Sequence, residues 1–249
     1  MSPLSLEAAL LTSQRTVLEA VLARTRALGP GCVALFDIDD TVLYTSRRTL
    51  RILHEFARQM EREPEHFRET RFLLAAGVRD IRYSIGDTAK AAGVTDEGIL
   101  AHLREFWFKR FFTNEYLLED KPVPGAAGFC RELAEAGARV VYLTGRDETM
   151  EEGTLKVLGR HGFPLPGAGA ELILKPRFDT PDFEFKVSAL DRVAAMGEVA
   201  AGFENEPAHI NLFQERFPAG RMVFVDSRHS GKPISPLPSV GRIRDYLRA

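Results

Sequence analysis

The stretch Val33-Ala34-Leu35-Phe36-Asp37-Ile38-Asp39-Asp40-Thr41 decides how this chain is read. Four apolar residues run directly into three carboxylates within four positions. An apolar run of that length reads as a strand buried on both faces, as in a parallel sheet. Ligand sites of open α/β sheets lie outside the carboxyl ends of such strands, which is where Asp37 and Asp39 fall. Two carboxylates roughly 5 Å apart repel by about 3 kcal/mol at an effective dielectric of about 20. A shared proton or a cation must offset that repulsion. Hard oxygen ligands select Mg²⁺ or Ca²⁺. Asp-x-Asp also occurs in Asx turns, helix caps and Ca²⁺ loops. The EF-hand pattern fails here, because no Gly stands at its sixth loop position and residues 36–43 are largely apolar.

The 249 residues suffice for one large domain or two small ones. With 45% hydrophobic and 27% charged residues, the composition is that of a soluble globular protein and not of a disordered one. A formal charge of -2 provides no general attraction to nucleic acid or anionic membrane. Cys32 and Cys130 both sit in apolar segments, so buried thiols in a reducing compartment are expected, with a disulfide as the alternative. No basic segment followed by an apolar signal core opens the chain, and no apolar run approaches the length of a membrane span. A cytoplasmic protein is the expectation. The oligomeric state is not legible.

Outward from the acidic stretch, residues 4–28 place Leu10, Leu11, Val17, Leu18, Val21, Leu22 and Leu28 at helical spacing, and Gly29-Pro30-Gly31 stops the helix. From about Tyr44 to Asp120 apolar positions recur at three and four, as in Leu50, Leu53, Phe56 and Met60. Turn signals at Glu63-Pro64, Gly77, Gly86 and Gly93 divide that stretch into about four helices. Phe106-Trp107-Phe108 and Phe111-Phe112 are expected to form the core of this insert. Strand and helix then alternate: helix 126–136, strand 139–143 delivering Thr144-Gly145-Arg146-Asp147, helix 149–160, strand 171–174, helix 183–196, strand 198–203 ending in Glu204-Asn205-Glu206-Pro207, helix 208–217, and strand 222–225 ending at Asp226. Such alternation predicts an α/β fold with a doubly wound parallel sheet. No repeat or low-complexity segment interrupts it.

Three strand ends thus carry chemically pointed residues. Phe-Asp-Ile-Asp-Asp-Thr, Leu-Thr-Gly-Arg and Glu-Asn-Glu, in that order and with a lysine before the last of those strands, resemble the signature motifs of the haloacid dehalogenase (HAD) superfamily. The resemblance covers residues 31–43 and 121–226. It implies a Rossmann-like core over residues 1–43 and 121–249 and a helical cap of the C1 type over residues 44–120. Asp37 is then the nucleophile that forms an aspartyl-phosphate, and Asp39 protonates the leaving group and deprotonates the hydrolytic water. That second acid separates phosphatase-like members from dehalogenases. Asp40 and Thr41 fit a local hydrogen-bonding role. Thr144 and the N–H of Gly145 hold a phosphoryl oxygen, while Arg146 either binds substrate or braces Asp147.

Lys186 is preferred over Lys175 as the motif lysine. The resemblance also implies Mg²⁺, held by Asp37, the main-chain carbonyl of Asp39, Glu204 and waters, with Asn205 either an auxiliary ligand or a residue that orients the ligands. Glu-Asn departs from the family's usual Asp-rich motif, so Glu204 binds directly or through water, and helix capping is its rival role. Arg47, Arg48, Arg51, Arg79 and Arg82 lie in the insert, and Arg47 at its entrance is a candidate grip for a second anionic group. The implied activity is hydrolysis of a phosphomonoester on a small phosphorylated metabolite or nucleotide. A phosphomutase or a non-catalytic binding protein of the same fold are the alternatives.

Overall fold

The computed structural model describes residues 3–61, 66–167 and 169–248. Ten α-helices occur among them: α1 (Pro3–Leu28), α2 (Ser46–Met60), α3 (Phe67–Ala75), α4 (Ile85–Ala92), α5 (Glu97–Phe111), α6 (Asn114–Leu117), α7 (Ala126–Glu135), α8 (Glu151–Arg160), α9 (Asp182–Met196) and α10 (Pro207–Arg216). The strands are β1 (Val33–Phe36), β2 (Leu43–Tyr44), β3 (Lys121–Pro122), β4 (Arg139–Asp147), β5 (Ala170–Lys175), β6 (Val199–Glu204), β7 (Arg221–Val225) and β8 (Gly241–Ile243). The chain divides into two compact units. One comprises the chain up to Leu43, Pro122–Glu148 and the chain from Leu158 onward; the other comprises Tyr44–Lys121 and Thr149–Val157. The short strands β2 and β3 pair with each other where the chain passes between the units.

The first unit is built on a six-stranded sheet in the order β5-β4-β1-β6-β7-β8, parallel at every pairing. Winding runs outward in one direction from β1 to β5 and in the other from β6 to β8, so its direction reverses between β1 and β6. In open α/β sheets that reversal opens the crevice in which ligands bind. Side chains alternate across the pleat. Val33 and Leu35 pack with Phe185, Leu190 and Val193 of α9 and with Ile210 and Phe213 of α10. Phe36 turns to the other face, where its ring stacks on Phe203 at 4.6 Å, and Phe203 in turn meets Phe129 of α7 edge-on. All four residues of β1 and all six of β6 are buried, which explains their unbroken apolar runs. On α1, Leu18, Val21 and Leu22 form the buried stripe; the side chains of Leu10 and Leu11 lie outside the described ones. Cys32 and Cys130 are buried and free.

The second unit is helical. On α2, Arg48, Thr49, Ile52, Leu53, Phe56, Ala57 and Met60 are buried at the three- and four-residue spacing read from the sequence. Ser84 caps α4 by accepting the Asp87 N–H, Asp96 caps α5 by accepting the Ile99 N–H, and Gly93 ends α4 in the left-handed conformation. The turn expected at Glu63-Pro64 lies outside the described residues. Phe106 joins the core, and Trp107 and Phe111 pack against it, but Phe108 is 52% exposed. Three consecutive helical residues point in three directions, so the aromatic run cannot enter the core as a block. Asn114 ties the start of α8 to this unit: its Nδ2 donates to the Thr149 carbonyl, and its Oδ1 accepts the Gly153 N–H.

Arg48 and Asp120 form a fully buried two-pronged pair in this unit, at 2.9 and 3.0 Å. The guanidinium also donates to the Phe111 carbonyl and lies 3.9 Å from the centre of the Phe111 ring. Substituting Arg48→Met leaves a buried carboxylate without its counter-charge, and destabilisation by about 3–5 kcal/mol is expected. Adding Asp120→Leu should recover much of that loss. Trp107 is the sole tryptophan and sits in this unit, so its fluorescence during urea unfolding measures both effects. A single mutant with an unchanged midpoint would refute this account of the pair.

Candidate active site

The reversal point between β1 and β6 carries the densest cluster of buried charge. Asp37 directly follows β1, and its N–H bonds the Phe203 carbonyl of β6 at 3.0 Å. Its carboxylate is thereby held level with Glu204, the last residue of β6. Lys186 reaches up from α9. Its Nζ donates to Asp37 Oδ1 at 2.8 Å and to Glu204 Oε2 at 2.5 Å. The three side chains are between 1% and 8% exposed. The other Glu204 oxygen accepts the N–H groups of Asn205 and Glu206 at 3.0 and 2.9 Å. Thr41 Oγ1 lies 2.9 Å from Asp37 Oδ2 and 3.1 Å from Asn205 Oδ1. Asn205 Nδ2 donates to the Arg228 carbonyl at 2.6 Å.

One ammonium serves two carboxylates, and the protonation balance reflects it. Burial alone would raise the Glu204 carboxyl, but Lys186 and the nearby His209 outweigh it and hold it down to about 2. The two N–H bonds to its Oε1 act in the same direction. Asp37 takes the remaining strain. Burial and the Glu204 charge push its carboxyl up to about 7, against the opposing pull of Lys186. Burial would lower the Lys186 ammonium, yet the two carboxylates raise it above its ordinary value.

Asp39 faces a different partner. Arg146, on β4, grips it in a two-pronged pair at 2.9 and 2.8 Å. The Arg146 side chain is 1% exposed, whereas Asp39 is 34% exposed. The guanidinium is therefore closed to solvent while the carboxylate it orients is open. Thr144 is buried, and its Oγ1 accepts the Arg146 N–H at 3.2 Å. A Cβ on Gly145 would come within 2.9 Å of the Asp182 carboxylate, so a larger residue there would push that half-exposed side chain aside. Lys175 turns to the same Asp182, 2.8 Å away, whereas Lys186 joins Asp37. Asp40 pairs with Arg228. Arg47 lies on α2 in the helical unit, exposed.

Asp37, Asp39, Thr144, Gly145, Arg146, Lys186, Glu204 and Asn205 all belong to the sheet-bearing unit. Among the described residues no group of three or more His, Cys, Asp or Glu side chains forms a ready metal cage. The donor set nevertheless suits a hard divalent ion: two carboxylates, an amide oxygen and a main-chain carbonyl, with no sulfur. Its charge count points the same way. Asp39 and Asp40 each have an arginine, whereas Asp37 and Glu204 share a single lysine. Sequence reasoning missed Arg228, Asp182 and His209. Nothing in their spacing marks them, since each is brought in by tertiary contact.

The strained charge on Asp37 has a measurable consequence. Its folded-state pKa lies above its unfolded value, so the folded chain binds the extra proton between about pH 4 and 7. Stability from this group is present at low pH and is lost as pH rises through that window. In EDTA, Asp37→Asn should therefore gain melting temperature relative to the parent chain at pH 8, with little gain at pH 4.5. The shift should be about 2–4 °C for each kcal/mol the ionised carboxylate costs. A gain that is independent of pH would contradict the raised pKa.

A family model described as a hydrolase, haloacid dehalogenase-like hydrolase, matches residues 33–210. No curated protein matches the chain. Among solved structures, similarity extends to a candidate phosphatase from Clostridium difficile (13% identity, 82% of this chain and 89% of that one, TM-score 0.52). A predicted phosphoglycolate phosphatase from Haemophilus somnus 129pt is also similar (11% identity, 86% and 94%, TM-score 0.50). So is a HAD-superfamily hydrolase of subfamily IA, variant 1, from Geobacter sulfurreducens PCA (14% identity, 88% and 94%, TM-score 0.50). At these identities the structural likeness speaks for the fold alone, and the family match, which spans most of the chain, speaks for descent. The chain belongs to the haloacid dehalogenase-like hydrolases.

Proposed function

We propose that this hydrolase is a Mg²⁺-dependent phosphatase of small phosphomonoesters, working through an aspartyl-phosphate on Asp37. The observation that carries this reading is the pairing of Asp37, bridged to Glu204 by Lys186, with a second, solvent-facing carboxylate two residues on, Asp39. A carbon–halogen bond needs no acid at its leaving group, whereas an ester oxygen leaving from phosphorus does. Asp39 supplies that acid.

In the first half-reaction a carboxylate oxygen of Asp37 bonds to phosphorus as the ester P–O bond breaks, and Asp39 passes its proton to the departing oxygen. In the second, Asp39 takes a proton from water, whose oxygen attacks phosphorus and returns the Asp37 carboxylate with release of inorganic phosphate. Lys186 neutralises Asp37 and lies where charge builds on the transferring group. Thr144 and the Gly145 N–H hold a phosphoryl oxygen, and Arg146 orients Asp39. The ion would be held by Asp37, the Asp39 carbonyl, Glu204 and Asn205, and when bound it supplies the positive charge that one lysine leaves short. The insert is read as a C1-type cap that selects the leaving group, with Arg47 as its contribution to anionic substrates. A cytoplasmic location suits a phosphorylated metabolite as substrate, and among the described residues no helix is long and apolar enough to cross a membrane.

Phosphate release from a metabolite panel and from p-nitrophenyl phosphate, with Mg²⁺ and with EDTA, tests the reading. Turnover should require the metal and vanish in Asp37→Asn. Asp39→Asn should still accumulate some phosphoenzyme while steady-state turnover falls by about 10²–10⁴-fold. Full activity in Asp37→Asn would remove the nucleophile assignment. Separately, Glu204→Gln should raise the Mg²⁺ concentration needed for half-maximal activity by about tenfold or more; an unchanged requirement would take Glu204 out of the metal site.

A further inference from the structure

Asp40 is the only non-glycine residue with positive φ among the described residues, at 56°. The left-handed region is uphill for a residue with a Cβ, although Asp enters it more readily than most because its short side chain bonds locally. The turn's own backbone bonds, from the Asp40 N–H to the Leu43 carbonyl at 2.7 Å and from the Thr41 and Val42 N–H groups to the Ile38 carbonyl at 3.2 and 3.0 Å, close it, and residues 227–230, just after β7, grip Asp40 from outside the turn. Arg228 Nη2 lies 2.7 and 2.9 Å from the two Asp40 carboxylate oxygens. Ser227 Oγ donates to the Asp40 carbonyl at 2.5 Å. The Arg228 carbonyl receives Asn205 Nδ2, and Ser230 donates through its N–H and its hydroxyl to Glu206. One short segment thus grips both the turn that carries Asp39 and the strand end that carries Glu204. It lies beyond the residues matched by the family model.

We propose that Arg228 is a positioning residue of the active site, fixing through Asp40 the left-handed turn that aims Asp39 and its carbonyl, and through its own carbonyl the Asn205 amide. The catalytic consequence rests on the phosphatase reading above; the bracing itself does not. A misplacement of about 1 Å at a reacting group lowers turnover by roughly 100-fold.

The test uses the full chain with p-nitrophenyl phosphate and Mg²⁺. Arg228→Met should lower kcat by about 100-fold with KM changed less than about threefold. Arg228→Lys, which keeps the charge but loses the planar fork, should restore about tenfold of that loss. Asp40→Ala, which removes the acceptor that Arg228 grips, should lose at least as much as Arg228→Met, and the double variant no more than Asp40→Ala alone, because the two act as one unit. Amide hydrogen exchange of residues 38–43 should speed up in Arg228→Met while β1 and β6 stay protected. A kcat within twofold of the parent, a loss confined to KM, or additive losses would each overturn the proposal. If the parent chain hydrolyses no phosphate, the phosphatase reading fails on its own, and the exchange rates still decide the brace: unchanged rates at residues 38–43 overturn it.

Discussion

A single ammonium shared by two buried carboxylates is the constraint around which the sheet-bearing unit is arranged. Lys186 cannot satisfy Asp37 and Glu204 fully at once, and burial magnifies the shortfall, because water is not there to share the field. The neighbouring groups respond to this shortfall. Backbone N–H groups settle on Glu204, the Thr41 hydroxyl settles on Asp37, and the unmet charge appears as an Asp37 carboxyl that holds its proton too well. Lysine alone leaves one of the two carboxylates short of a counter-charge, and the proton that Asp37 retains makes up the difference.

The arginines divide the remaining acids between them. Arg146 holds Asp39, and Arg228 holds Asp40, so the three carboxylates crowded into residues 37–40 point to three different partners. Packing them in one turn is tolerable because each is directed away from the others. Separation of roles follows from separation of environments: Asp37 is sealed in against Lys186, while Asp39 keeps an open face. Two acids of one chemical type are thereby placed in different environments by what surrounds them.

Much of this could be read from the chain because strong local signals and strong chemistry coincide. The runs Val33–Phe36 and 199–203 carry no charged or polar side chain, which only a strand covered on both faces explains, and each is followed by its acid. The order of those runs yielded the parallel sheet. What escaped was of two kinds. Strands β2, β3 and β8 span two or three residues, too few for any periodicity to register. Phe108 looked like core in a run of aromatics because composition carries no direction, whereas helical geometry turns each successive side chain by a quarter circle or so. Arg146 was read as a substrate contact or a brace for Asp147, and nothing in the sequence hinted at its two-pronged grip on Asp39. Arg228 had no signal at all, being defined by a contact 188 positions away.

That last separation bears on how the molecule comes to life. Asp37 meets Lys186 across 149 residues and Asp40 meets Arg228 across 188, so the first acids of the chain wait for cations that come far later. Long-range closures of this kind are late and slow in folding. No fragment emerging early in synthesis can hold this charge cluster, whose members come from both ends of the sheet-bearing unit. A half-made chain therefore keeps its acids apart from the cations that balance them.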